Sequence, residues 1–527
     1  MNSWNADVEL SEQEIRLLKL SKKQKLWSFF RLQRHQILSE DIRKDLQGMY
    51  LVSEVGRPAS CPERLFLALL LQAAFNVADH EVVALSAVDQ RWQMVLDCLG
   101  ESEPAFSQGS VFKFRERIRE HGLMARLLSN TVAIARESKG FGHKRLRTLF
   151  DSSPLFGAGR VEDTFNLLGR AIAQLVEVSS DESGQEASEI AAQLDITVFG
   201  SSSVKQSLDI DWRLPESRLD ALNSLVDQFR RIEDWLENTF GAQKLEKPPL
   251  STHLDTVRKI LDENTEPDPT SSGDKRKARI RPRIGAPDRT ISLSDKEMRH
   301  GRKSKSKGFS GYKRHVAVDA DVSGLICSVK ILRGNSSEHE GAEPLLQSLT
   351  ESSFQIQELH IDRGYLPALA VRALHDNNCT VISKPPTPVK GERYDKSDFL
   401  VDFSQKTITC PAGQTMPIAL GKKSSRYPKK TCQNCAQKSS CISEGNKYGK
   451  VIRLHSQEKW YREMSAELST SIGRKKRRER IPVEHALARV GAIQGKRARY
   501  RGLEKNQFDL ERVAVINNFY VLERLAA

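Results

Sequence analysis

The sequence predicts an α/β protein in which a mixed β-sheet, covered by helices, follows an all-α N-terminal region and is interrupted by insertions. Three observations support this class: a helical pattern over residues 1–135, alternating strands and helices over 146–384, and a final helical segment after 474. Packing helices on a sheet is one of the few ways to bury the apolar faces of both. A chain of 527 residues is long enough for two or three folded units.

Composition excludes some classes of protein and favours others. Hydrophobic residues make up 39% of the chain, and the most apolar run, at 65–75, is shorter than the roughly 20 residues that a membrane span needs. The N-terminus begins polar and acidic, so we expect no secretory signal and a cytoplasmic protein without a membrane partner. The net charge of +14 favours a polyanionic partner.

The N-terminal region is predicted to be helical throughout. A compact apolar helix at 61–75 is opened by Gly56-Arg57-Pro58, and 107–118 mixes aromatic with basic residues. Either a DNA-contacting module or a plain helical cap fits this pattern, and composition alone favours the cap.

Residues 140–385 and 474–527 are predicted to form one core, whose strands all lie in the first of these two segments. A strand at 146–155 is expected to deliver Asp151 at its end. Strands at 312–319 and 325–332 are joined by a turn that contains Gly324, which indicates a hairpin. A helix at 338–349, a strand at 356–362 ending in Asp362, a helix at 367–375 and a strand at 379–384 complete the core.

Two insertions are predicted. The first, at about 160–265, is helical, and its apolar stripe indicates a buried face rather than chemistry. A flexible basic linker, or a loop ordered by an acidic partner, is expected at 265–308, which is rich in Pro, Gly, Ser and basic residues. The second insertion spans 386–473. The stripe of the first insertion comprises Leu219, Leu222, Val226, Phe229, Ile232 and Leu236.

The second insertion contains four of the eight cysteines. Cys410, Cys432, Cys435 and Cys441 fall in the pattern C-x21-C-x2-C-x5-C. This spacing allows a tetrahedral thiolate site, and a cytosolic protein rarely uses disulfides, so structural zinc is favoured over free or redox-active cysteines. Such a zinc ion would take no part in catalysis.

Three acids are candidates for catalysis. Phosphodiester cleavage by two metal ions needs bridging carboxylates, and Mg²⁺ is satisfied by a few acidic ligands with water. Asp151 and Asp362 are each predicted to end a strand, and Pro482 places Glu484 on the opening turn of a helix. Each acid alone has a simpler interpretation, as a turn residue, a helix cap or a partner of the helix dipole.

The surroundings of Glu484 are strongly basic. Eleven basic and two acidic residues lie between Arg474 and Arg501. Such a run is typical of a solvated face, a nuclear-import signal or a nucleic-acid interface, but a metal-binding acid that acts on DNA needs cations nearby to hold phosphates. The candidate DNA-binding residues are Lys475, Lys476, Arg477, Arg480, Arg489, Lys496, Arg497 and Arg499.

Three blocks of sequence together carry a family resemblance. They are Asp151-Ser152-Ser153-Pro154-Leu155 with Gly159-Arg160-Val161-Glu162-Asp163, then Gly311-Tyr312-Lys313-Arg314-His315 with His360-Ile361-Asp362-Arg363-Gly364-Tyr365, and Arg480-Ile481-Pro482-Val483-Glu484.

These blocks resemble the ribonuclease H-like core of a DDE transposase from a bacterial insertion sequence, and 56–118 is similar to the helical domain that precedes it. Such families surround the last acid with Tyr-x2-Arg-x3-Glu-x6-Lys. This chain keeps Arg480 and Glu484 but has Arg477 in place of the tyrosine and Gly491 in place of the lysine. Arg489 and Lys496 are the candidates for the missing lysine.

The resemblance implies a complete activity. Asp151, Asp362 and Glu484 would hold Mg²⁺ or Mn²⁺, and the enzyme would cleave element ends and join the 3′ hydroxyl to target DNA. Its partner would be double-stranded DNA, with the N-terminal domain (1–135) binding DNA ends and a dimer or larger assembly at synapsis, at the nucleoid of a bacterial host. Two alternatives stay open: a catalytically silent repressor that binds the ends, and a metal-dependent nuclease on the same core.

Overall fold

The computed structural model describes most of the chain. It covers residues 4, 7, 9–22, 24–50, 60–142, 145–201, 203–269, 277–281, 288–304, 306–386, 393–421 and 424–526. Gly56-Arg57-Pro58, expected to open a helix, lies outside the described residues. No single helix among these residues is long and apolar enough to cross a bilayer; Pro62–Phe75 and Asp79–Val88 reach that composition only when counted together across a bend of 110°.

The described N-terminal residues are helical, as predicted. Serine side chains cap three of these helices: Ser11, Ser39 and Ser107 each accept a hydrogen bond from a backbone N–H of the first turn. The helices are α1 (Glu12–Leu20), α2 (Lys25–Ile37), α3 (Glu40–Gly48), α4 (Pro62–Phe75), α5 (Asp79–Val88), α6 (Gln90–Leu96), α7 (Gln108–Glu120) and α8 (Leu123–Ser138).

A mixed sheet follows, which confirms the α/β class. The strands up to residue 382 are β1 (Arg145–Phe156), β2 (Thr265–Pro267), β3 (Ala278–Ile280), β4 (Arg299–Arg302), β5 (Gly308–Asp319), β6 (Ile326–Arg333), β7 (Gln355–His360) and β8 (Thr380–Ile382).

Strand pairing sets the layout of this sheet. The order is β4-β5-β1-β7-β8, with β6 also paired to β5; β2 and β3 form a separate ribbon. Strands β4, β6 and β1 run antiparallel to β5, whereas β7 is parallel to β1 and β8 is parallel to β7. The predicted hairpin is therefore present as β5 and β6, with Gly324 at a φ of +81° in its turn.

One strand prediction is wrong. Asp151 does not end its strand, because β1 continues to Phe156 and Asp151 pairs with Val316 of β5. The parallel neighbour β7 pairs only as far as Leu149. Asp151 thus lies in mid-strand, just beyond the point where β1 loses its partner on one side.

The first insertion has a hydrophobic core of its own. Its long helix buries Leu222, Phe229, Ile232 and Leu236 as predicted, while Leu219 is only half-buried. The helices are α9 (Thr164–Ser183), α10 (Ala187–Gln193), α11 (Val204–Ser207), α12 (Pro215–Phe240), α13 (Ala242–Leu245) and α14 (Leu250–Asn264).

The expected flexible linker at 265–308 is wrong for its described second half. Residues 288–302 pack against the sheet and bury Ile291, Asp295 and Met298. The reason is local pairing: the hydroxyl of Tyr312 donates to Asp295 at 2.5 Å, and Arg299 pairs with Asp288 at 2.9 Å. Residues 270–276, 282–287 and 305 lie outside the described part.

Helices α15 (Ala342–Glu351) and α16 (Leu369–Asp376) cover the sheet where helices were predicted. The second insertion then follows. Its described elements are β9 (Leu400–Asp402), β10 (Thr407–Thr409), β11 (Thr415–Pro417), β12 (Ser425–Arg426), α17 (Lys429–Gln433), α18 (Lys438–Cys441), β13 (Val451–Ile452) and α19 (Glu458–Ser469).

Three helices end the chain: α20 (Ser471–Arg478), α21 (Ile481–Gln494) and α22 (Leu503–Ala526). The last of these joins the N-terminal helices to the sheet, because it packs on α2, α4, α8 and β6. The side-chain amide of Asn518 shows the connection, since it bonds to both backbone groups of Ile326 on β6 and to the Thr131 hydroxyl on α8. The N-terminal helices and the sheet therefore share one hydrophobic core.

Candidate active site

The three predicted acids line one cavity. Asp151 projects from β1, Asp362 follows the end of β7, and Glu484 lies in the first turn of α21; all three border a cavity of about 550 Å³. Their elements are distant in sequence and meet only because β1, β7 and α21 pack together. As predicted, Pro482 lies in the first turn of the helix that carries Glu484.

Asp151 has a perturbed carboxyl group. Burial, together with the nearby carboxylates of Asp362 and Glu338, raises its pKa to about 6, although the N–H of Ser152 and the charge of Arg480 oppose this shift. That N–H donates to Oδ1 of Asp151 at 2.7 Å. A half-buried acid beside two other carboxylates favours the binding of a cation, because the opposite charge stabilises the ionised form.

Arg480 contacts both aspartates. Its guanidinium forms an ion pair with Asp362 and lies 3.6 Å from Oδ2 of Asp151, measured from Nη2. Arg480 is the N-cap residue of α21, so it approaches from the turn before that helix rather than from the face that carries Glu484. Glu484 is exposed, and none of the described residues forms an ion pair with it.

A fourth carboxylate, Glu338, also lines this cavity and was missed by the sequence reasoning. It accepts a hydrogen bond from the Ser152 hydroxyl at 3.1 Å. Gly364 leaves room for it, since a Cβ there would collide with the Glu338 carboxylate. The available signal was its position in the first turn of the helical segment that directly follows the β5–β6 hairpin, at Glu338–Gly341.

Arg314 ties the strand of Asp151 to the helix of Glu484. Its guanidinium donates to the backbone oxygen of Pro154 at 2.8 Å and to Oε1 of Gln494, near the end of α21, at 3.2 Å. Burial lowers its pKa to about 10. The guanidinium therefore holds the two elements at a fixed separation.

The predicted DNA-binding residues are scattered around this site. Lys475 and Arg477 are exposed on α20, and Lys476 on the same helix lies 3.7 Å from Glu467. Lys496 is exposed, and its backbone oxygen accepts the N–H of Phe156 at the end of β1.

The remaining three predicted cations face different surroundings. Arg497 donates to the backbone oxygen of Gly157 at 3.2 Å. Arg499 reaches the loop after α4, where it bonds to the backbone oxygen of Val77. Arg489 lies near Arg524, and burial lowers its pKa. Arg489 and Lys496, the candidates for the missing lysine, are not among the described residues that line the cavity.

One other acidic group lies near the sheet. Among the described residues, the ligand atoms of Glu358, His360 and Glu479 form the one group of three that lie within 4.8 Å of one another. The guanidinium of Arg147 already lies between the two glutamates, 2.6 Å from Glu358 and 2.7 Å from Glu479. We interpret this group as an ion-pair network that joins β1, β7 and the end of α20.

The four cysteines of the second insertion line one small cavity of about 30 Å³. Among the described residues, no three of their sulfur atoms lie within 4.8 Å of one another. Gly413 adopts a φ of +80° in the turn after Cys410, so that the N–H of Gln414 donates to the Cys410 thiol at 3.3 Å. The N–H of Lys450 donates to the thiol of Cys432 at 3.4 Å. Amide donors aimed at sulfur suit thiolate ligands.

Two family models match separate parts of the chain. Residues 409–523 match the Transposase DDE domain, a segment that includes the four cysteines and Glu484. Residues 18–117 match the Transposase domain (DUF772), which corresponds to helices α2–α7. No curated protein and no solved structure matches the chain. The first family implies the use of a divalent metal ion, and both imply binding to DNA. These matches support a DDE transposase of an insertion sequence, and the mixed sheet with its helical N-terminal region is consistent with a ribonuclease H-like core.

Proposed function

We propose that this transposase cleaves DNA at the ends of its element and joins the resulting 3′ hydroxyl to target DNA, using Mg²⁺ or Mn²⁺. One observation carries the proposal: Asp151, Asp362 and Glu484, from three separate elements, border one cavity that basic side chains also line. A divalent ion held by these acids would activate the attacking oxygen and stabilise the leaving oxygen.

The chain's own residues divide the remaining tasks. Lys313 and Arg302 border the same cavity and are suited to hold the phosphates that flank the scissile bond. Arg480 contacts both aspartates; a divalent ion held by these acids would supply the same positive charge and would leave the guanidinium available to a phosphate oxygen.

The proposal also assigns DNA-binding roles to parts of the chain outside the cavity. Lys475, Lys476 and Arg477 on α20 would contact the DNA backbone outside the cavity, and the N-terminal helices would bind the terminal inverted repeats. Synapsis of two ends requires at least a dimer. An insertion sequence lies in the host chromosome, so the proposed place of action is the nucleoid of a bacterial cell.

We further propose that the thiols of the second insertion bind a structural zinc ion. The ligands would be Cys410, Cys432, Cys435 and Cys441, which line one small cavity. Its role would be to hold the insertion together, away from the catalytic acids.

A cleavage and joining assay tests the catalytic proposal. Duplexes carrying the ends that flank this gene are incubated with wild type, Asp362→Asn or Glu484→Gln, with and without Mg²⁺. Wild type should nick the ends and transfer them to a second duplex only with metal. Glu484→Gln should cut at least about 100-fold more slowly, since losing one ligand removes a few kcal/mol of transition-state stabilisation. End binding, followed by gel shift, should be retained.

Glu216→Gln is the matched control. Glu216 is also an exposed glutamate in the first turn of a helix that Pro215 begins, so its substitution reproduces any effect on a helix dipole. It should cut like wild type. Cleavage without joining would favour the nuclease, binding without cleavage by wild type would favour the silent repressor, and strong cutting by Glu484→Gln would refute the assignment of Glu484.

A further inference from the structure

A second and larger cavity, which we call the basic groove, lies beside the active-site cavity. It has a volume of about 1220 Å³, more than the roughly 300–1,000 Å³ of a pocket for one small molecule. Its walls are the end of β1, strands β4 and β5, the segment around Asn264 that closes the first insertion, and Arg497. Its size suits a segment of a polymer better than one small ligand.

The walls of the groove are strongly cationic. Glu263 is the acidic side chain among the described lining residues, and it is engaged by Lys259 at 3.6 Å and by the N–H of Thr290 at 2.7 Å. Burial and the charge of Arg289 lower the pKa of His300, which favours its neutral form. Five arginines therefore supply the positive charge: Arg160, Arg281, Arg289, Arg302 and Arg497.

The groove is adjacent to the active-site cavity. Arg302 and Phe309 border both cavities. A DNA strand whose scissile phosphate lies among the three acids can therefore pass along the arginines without leaving the surface. The groove thus has both the charge and the position needed to hold the sugar-phosphate backbone next to the cleaved bond.

An aromatic ring in the groove favours single-stranded over double-stranded DNA. Phe156 lines the groove with 43% of its surface exposed, although it is a large apolar residue. Its ring packs edge-on against Phe309, with 6.2 Å between ring centres, so the ring is held in place. Cationic grooves with accessible aromatic rings are typical of sites for unpaired strands, whose bases stack on the ring. A duplex, with its bases already stacked, gains nothing from the ring.

We propose that the basic groove binds an unpaired stretch of the DNA strand that leads away from the scissile phosphate. This inference rests on the proposed function, because it takes the position of the scissile phosphate from the three acids. It assigns to the first insertion and to residues 277–281 and 288–302 a role in holding the strand.

DNA binding by the full chain tests this proposal. The probes are a fluorescein-labelled 20-nucleotide single strand of mixed sequence and the blunt duplex of that sequence, and binding is followed by fluorescence anisotropy in EDTA. Phe156→Ala should weaken single-strand binding about tenfold, through lost stacking. For Arg160→Gln/Arg281→Gln, the slope of log affinity against log salt should fall by about 1.4, since each contact to a single strand contributes about 0.7. Duplex affinity should change less than about threefold.

Arg230→Gln/Arg258→Gln is the matched control. These arginines lie in the first insertion, pair with Asp227 and Glu233, and are partly exposed like Arg160 and Arg281, but they do not line the groove. The control should bind both probes like wild type.

Two outcomes would overturn the inference. Unchanged single-strand binding by Phe156→Ala and by the double variant, with wild-type melting temperatures, would refute the groove as a DNA site. Equal losses on both probes would show that it binds duplex, which refutes the unpaired strand. Neither result depends on cleavage, so each is distinguishable from failure of the catalytic proposal.

Discussion

The two insertions interrupt the same core but are stabilised in different ways. The helical insertion enters between Asp151 and Asp362, and its helices bury a large apolar cluster that includes Leu168, Leu225 and Ile260. The cysteine-containing insertion enters between Asp362 and Glu484. Its described core contains five buried apolar residues: Phe399, Ile408, Tyr427, Ile452 and Leu454.

This difference shows what a small core needs. A small core rarely buries enough apolar surface to offset the conformational entropy lost on folding, and metals or disulfides commonly supply the rest. The cysteines of the second insertion are free, and Cys410, Cys432 and Cys441 pack against its small core. The helical insertion, whose helices bury one another's faces, has no such need.

Removing the thiols should have the largest effect. Cys432→Ser/Cys435→Ser should lose the one zinc ion per chain that we expect in wild type, because structural zinc contributes about 10–16 kcal/mol of apparent binding free energy. The second insertion should then be cut readily by protease while the helical insertion stays resistant. Metal analysis and mapping of proteolytic fragments measure both. Cys61→Ser, outside the cluster, is the control. If the second insertion of the wild type resisted protease after removal of metal, it would not depend on zinc, and the proposed difference between the two insertions would be wrong.

A substitution that creates a cavity in the helical insertion should destabilise that insertion without affecting the zinc site. Leu225 is fully buried in α12, so Leu225→Ala should lower the free energy of unfolding of that insertion by about 2–5 kcal/mol. Zinc content should stay that of wild type. Urea unfolding followed by limited proteolysis measures the loss, and Arg230→Ala, exposed on the same helix, should change stability by less than about 0.5 kcal/mol. Zinc release by Leu225→Ala would show that the two insertions fold as one unit.

The contacts that hold the segment after the second insertion to the sheet should stabilise the fold in a pH-dependent way. Glu479, just after α20, is held to the sheet through Arg147 and Glu358. A hydrogen bond with His360, together with Arg147, lowers the pKa of Glu358 to about 2 although burial opposes this. The folded pKa lies below the ordinary value of 4.5, so the carboxylate stabilises the fold above about pH 4.5, by up to about 3 kcal/mol, and this stabilisation is lost as pH falls towards 2.

Melting temperatures between pH 7 and pH 3 measure this contribution. Glu358→Gln should melt below wild type at neutral pH, and the gap should narrow below about pH 4.5. Glu266→Gln, which breaks an exposed pair with Arg279 beside the helical insertion, should shift stability by no more than about 1 kcal/mol at any pH. A gap for Glu358→Gln that is constant with pH would show that the carboxylate acts by packing rather than by charge.

Local patterns were enough for much of the fold. The strand pair around Gly324, the helix that starts at Pro482, the buried stripe of α12 and the position of Asp362 after a strand each follow from alternation, turn residues or capping within a few residues. These properties depend on neighbours in the chain, so the sequence by itself determined them. It also determined the resemblance on which the three acids were selected.

Tertiary structure alone decided which side chains meet. Asp151 was expected at a strand end because Ser-Ser-Pro follows it, but pairing with β5 extends β1 through Pro154 to Phe156. Glu338 joins the cavity, and Arg480 contacts two aspartates, only because distant elements pack together. The basic groove needs the first insertion, the sheet and Arg497 at once. Juxtaposition across hundreds of residues depends on how apolar faces pack, and local sequence carries little information about that choice.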